Sequence, residues 1–214
     1  MTKSIVITTG LVGLMGAFLT GTGEFILHYD PLARFGAEFE FFSGIPADRT
    51  TLGHFVGVLG APLYLVGSWH IYLMLRPANP AWSLTAFFIT AYGFVAGAVW
   101  IGSRASISAL INTPVTPDIE ELIGLYDFRY ETLLQVIRIA VLVLSVIYIW
   151  LVMTGRSHYP KWMAMLNPIL LIIASFIVYA VAPAIGKYLM PIALNVAFCV
   201  FFIASIAIAR KKGL

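Results

Sequence analysis

The stretch from Ser4 to His28 reads SIVITTGLVGLMGAFLTGTGEFILH, twenty-five residues with a single formal charge, at Glu24. A helix needs roughly 20 mostly apolar residues to cross a bilayer core, so this stretch is long enough to span. Its last two turns are odd for that role. TGTGEFILHYDP (20–31) sets Glu24, His28 and Asp30 just behind two glycines, where lipid gives way to water.

The rest of the chain repeats the apolar theme. Of 214 residues, 60% are hydrophobic and 11% charged, with a mean hydropathy of +0.93. Soluble domains carry about 25% charged residues, so the solvent for this surface is lipid. Six segments have spanning length: 4–28, 51–75, 82–104, 131–153, 162–185 and 188–209. The apolar runs are continuous rather than alternating, which excludes a β-barrel. The expected fold is therefore all-α: one polytopic domain over 1–214, a six-helix transmembrane bundle with outer loops at 29–50 and 105–130. The lone Cys199 excludes an internal disulfide and any CxxC site.

Charge suggests the orientation. With both termini inside, the inner segments carry seven cations (Lys3, Arg76, Arg156, Lys161, Arg210, Lys211, Lys212). The outer segments carry five (Arg34, Arg49, Arg104, Arg129, Lys187). This is the positive-inside direction and predicts an inner (plasma) membrane protein with cytoplasmic termini. All ten acidic residues, from Glu24 to Glu131, fall toward the opposite side, which marks that side as the working face. The ARKKGL tail is too short to argue for nucleic acid, and membrane lipid is the expected partner.

Two outer connections look patterned. Phe35, Phe39 and Phe42 follow helical spacing, i, i+4, i+7, and predict an amphipathic helix lying in the interface, either a plug of the bundle mouth or a lid or lateral gate. Thr116, Pro117 and the acidic Asp118, Glu120 and Glu121 predict a short capped helix that Gly124 could end.

An ionisable residue inside a span is costly and points to function. Depth along the helices brings Glu24, His28, His54 and Arg138 into the outer third, with Arg104 and Tyr130 just above. His70 lies roughly 24 Å farther down the helix of His54 and is expected beside Trp69 and Tyr72 at the inner interface. Glu24 and Arg138 are the expected buried pair and the candidate catalytic groups. Phe35, Phe39, Phe42, Arg104 and Tyr130 are candidate substrate contacts.

Several chemistries fit this set. Glu24, His28 and His54, completed by Asp30, Asp127 or Glu131, form a candidate divalent-metal site, zinc foremost. His28 and His54 could instead ligate haem b axially. Glu24 and the histidines could serve a proton-coupled transporter or a ligand-binding pocket, or the cluster could be a structural register within a non-catalytic partner or sensor. HExxH, GxSxG and Walker patterns are absent. The reading that joins these features is a polar pocket, with or without a metal, near the outer leaflet that takes a small lipid-like or amphiphilic ligand or substrate.

Overall fold

The computed structural model describes residues 3–34 and 39–214, and among them there is helix and no strand. α1 (Lys3–His28) crosses first; α2 (Ala47–Gly60) and α3 (Leu63–Leu75) form one broken span. The break is at Ala61–Pro62, where proline removes an amide donor and crowds the preceding turn. α4 (Pro80–Ile111) and α5 (Pro117–Met153) follow, then α6 (Pro168–Val181), α7 (Pro183–Leu189) and α8 (Ala193–Lys212). Among the described residues, five helical stretches are long and apolar enough to span, the last running through α7 and α8 from Pro183 to Lys212. The protein is thus an all-α membrane bundle.

Two expected elements come out differently. The candidate span 162–185 is divided by Asn167–Pro168: a 3-10 segment, Lys161–Leu166, precedes the 14-residue α6. Fourteen residues rise about 21 Å, short of the roughly 30 Å apolar core. The expected outer loop 105–130 is instead almost entirely helical, because α4 continues to Ile111 and α5 begins at Pro117. Thr116 does cap this helix, its hydroxyl accepting from the Ile119 amide at 3.3 Å. Gly124 does not end it, since one helical glycine costs only about 1 kcal/mol and 37 residues continue unbroken to Met153.

α1 is the central helix, and its glycines allow the approach of its neighbours. A Cβ on Gly13 would lie 2.7 Å from the Gly67 Cα on α3, and one on Gly21 would lie 2.9 Å from the Asn195 Cβ on α8. In lipid, such small-residue contacts let backbones meet closely. The main core, nearer the basic end, joins Tyr148, Tyr159, Phe198, Phe201 and Phe202 to aliphatic side chains.

His70 is not interfacial. It is fully buried, with Nδ1 2.9 Å from the Val6 carbonyl and Nε2 2.6 Å from the Ser205 hydroxyl. Nδ1–H therefore donates to the carbonyl, and Nε2 accepts from Ser205. The Tyr159 hydroxyl lies 2.8 Å from the same Ser205 oxygen. This network ties α1, α3 and α8 together.

Phe35 and Glu38 lie outside the described residues. Phe39 and Phe42 do not form an open lid. Phe39 has a left-handed backbone (φ 62°), Glu40–Phe42 make one 3-10 turn, and both phenylalanines are buried with Ile45, Ile107 and Tyr130. Asn112 pins this turn from the end of α4: its amide donates to the Phe42 carbonyl (2.9 Å), and its Oδ1 accepts from the Gly44 amide (2.8 Å).

Candidate functional site: a polar-walled cavity between α5 and α6

Glu24 is 5% exposed and sits where α1, α4 and α8 converge. Its Oε1 lies 3.0 Å from Arg104 Nη1 on α4. Its Oε2 accepts a hydrogen bond from Asn195 Nδ2 on α8. The Tyr64 hydroxyl on α3 donates to Asn195 Oδ1 at 2.6 Å. Arg104, 1% exposed, also contacts His28 Nδ1 at 3.0 Å, so that nitrogen is the unprotonated acceptor. The guanidinium stacks on Trp100, 3.5 Å from the ring centroid. Arg104 Nε and Trp100 Nε1 have no hydrogen-bond partner among the described residues, and the cation–π contact offsets part of that deficit.

The partner of Glu24 is therefore Arg104, not Arg138. Depth along a helix cannot decide between them, because rotation about the helix axis does. Arg138 points outward: it is 56% exposed, and its Nη1 is 3.9 Å from Glu131 Oε2.

The expected metal set does not assemble. Among the described residues no three His, Cys, Asp or Glu side chains are grouped to hold a metal ion. Both Glu24 oxygens are engaged, one of them by a cation, and His28 faces the same guanidinium. His54 lies toward Gly102 instead: a Cβ on that glycine would stand 3.8 Å from the imidazole. The His54 Nδ1 has no partner among the described residues. His54 does not line the cavity that His28 lines, so the two imidazoles do not share that space as the axial pair expected for haem b.

Glu24, His28, Arg104, Tyr130 and Arg138 do share one cavity of about 560 Å³, within the usual range for small-molecule sites. Leu134, Ile137 and Val141 of α5 and Ile169, Ile172, Ile173 and Phe176 of α6 supply its apolar walls. Ile173 and Phe176 of this wall are also exposed, at 47% and 52%, so the cavity is open along α6. Sequence reasoning missed Trp100, Phe41 and the α6 wall. Asn195 had one signal, a lone amide in an apolar run, at what proves to be the first turn of α8.

Beside the site, Arg49 completes the end of α1: its Nε donates to the Ile26 carbonyl (2.7 Å) and its Nη2 to the Tyr29 carbonyl (2.6 Å). A cation there satisfies free carbonyls and complements the helix dipole. Asp30 accepts from the Leu32 and Arg34 amides and pairs with Arg34 Nε at 2.7 Å. Burial pushes the Asp30 carboxyl up, but the Arg34 side chain and the two amides outweigh it and hold the group below its ordinary value. A depressed carboxyl stabilises the fold above its unfolded value, about 3.9, and that contribution disappears as pH falls through the lower folded value. Amide protection over 29–34, corrected for intrinsic exchange, should thus hold from pH 7 to pH 5. Asp30→Asn should lose it already at pH 7, and wild-type protection in that variant would refute the anchoring role.

Comparison with known proteins places the chain in a family: it belongs to DUF6796, described as a family of unknown function, whose model matches residues 1–212. No curated protein and no solved structure matches.

Proposed function

We propose that this membrane protein binds a lipid-like or amphiphilic molecule in the α5–α6 cavity, near the outer leaflet. The observation that carries this reading is the form of the cavity: one polar wall built from Glu24, His28 and Arg104, apolar walls from α5 and α6, and a rim of exposed Ile173 and Phe176. A few placed polar groups in an apolar pocket are the usual pattern of a small-molecule site. A rim in the lipid-facing surface suits a ligand that arrives through the bilayer rather than from water.

The Glu24–Arg104–Asn195–Tyr64 network supports this role by rigidity. Its members lie on α1, α4, α8 and α3, so it fixes the wall against which a ligand would lie. No step of bond making is assigned to it.

Photoreactive alkyl probes test the reading. In maltoside micelles, a diazirine-bearing hexadecyl chain should label peptides covering 134–141 and 169–176. Ile173→Trp, which fills the cavity from its rim, should reduce that labelling by about tenfold, the ratio that 1.4 kcal/mol makes. Labelling spread evenly over the apolar belt and insensitive to Ile173→Trp would exclude the cavity as a binding site.

A further inference from the structure

The charges deep in the cavity wall are already balanced. Glu24 meets Arg104 on one oxygen and Asn195 on the other, and Arg104 is almost wholly buried against it. A charged ligand group brought there would be desolvated against a pair whose charges already cancel, which is costly.

Arg138 is in the contrary position. It lines the same cavity, yet it is 56% exposed and meets Glu131, itself 49% exposed, only at 3.9 Å. An exposed pair this long contributes little. Arg138 is also the sole charged residue between 132 and 153, and its neighbours Ile139 and Leu142 are exposed apolar side chains. Seven residues of helix rise about 10 Å, so to approach Glu131 the arginine extends along α5 toward its acidic end. This is how a cation on an apolar surface keeps its head near polar surroundings.

We propose that the ligand carries an oxyanion head, a carboxylate or a phosphate, held by Arg138 at the cavity mouth, with its apolar chain against α5 and α6. The inference rests on the cavity reading above and adds the chemistry of the head. A guanidinium offers two parallel N–H donors that match two oxygens of such a head. A hydroxyl head would use one of them, and a cationic head would be repelled.

Three probes with the same photoreactive hexadecyl chain, ending in a carboxylate, a phosphate or a hydroxyl, test this in maltoside micelles. Both anionic probes should label the α5 and α6 peptides at concentrations about tenfold lower than the alcohol, a 1.4 kcal/mol preference. Arg138→Gln should bring them to the level of the alcohol, and Arg138→Lys should keep part of the preference. Arg138 is exposed, so these variants do not disturb the buried network. The stronger of the two anionic probes would say whether the source is a free fatty acid or a phosphate-bearing lipid. Equal labelling by the alcohol in wild type, or an anionic preference that survives Arg138→Gln, would overturn the head-group inference and leave the cavity reading intact. No labelling of these peptides by any probe would overturn both.

Discussion

Arg104→Met should destabilise the protein by about 3–5 kcal/mol, the usual cost of removing one partner of a buried ion pair. The variant leaves Glu24 buried at 5% exposure with only Asn195 on its side chain, and it removes the stack on Trp100 and the contact to His28. Adding Glu24→Gln should recover a substantial part of the loss, because the neutral amide no longer strands a charge. The readout is the thermal midpoint in detergent, followed by retention of the monodisperse peak. A single variant as stable as wild type, or a double variant no better than the single, would show that Glu24 and Arg104 are not the pair described.

Gly23→Ala should be strongly damaging for a change of one methyl group. A Cβ there would stand 2.2 Å from the Gly57 amide nitrogen, 2.5 Å from the Gly57 Cα and 2.7 Å from the Gly53 carbonyl oxygen. These are backbone atoms of α2, so no side chain can rotate away and the helices must separate. Overpacking a core costs about 1–3 kcal/mol, occasionally more, and rigid neighbours put this site at roughly 3 kcal/mol. The displacement would also move Glu24, the next residue. Gly124→Ala is the matched control: nothing lies within 4 Å of its Cβ position, so it should be neutral or gain up to about 1 kcal/mol of helix propensity. Equal midpoints for the two variants would rule out the close α1–α2 contact.

Much of the molecule was legible in the chain itself. Continuous apolar runs fix membrane helices, because in lipid the backbone must satisfy its own hydrogen bonds. Thr116–Pro117 marked the start of α5, a consequence of local capping geometry. Span length was less readable at the edges. Hydropathy let 162–185 pass as a spanning helix, whereas the Asn167–Pro168 start leaves α6 at 14 residues. Between Asn112 and Tyr130 the sequence predicts a loop holding one short capped helix that Gly124 could end, yet polar residues with a good cap carry the helix on into the span.

The site divides in the same way. Counting at about 1.5 Å per residue put Glu24, His28, His54 and Arg138 at similar depth, with Arg104 and Tyr130 just above; of these all but His54 line one cavity. It could not pair them. Whether Arg104 or Arg138 meets Glu24, whether His54 joins His28, and whether Phe39 and Phe42 are lid or core all depend on how each helix is rotated about its axis. Side chains distributed over several helices set that rotation. Gly23 against Gly57 and Gly21 against Asn195 turn Glu24 toward α4 and α8, while Arg138, on the outward side of α5, is left facing the cavity mouth.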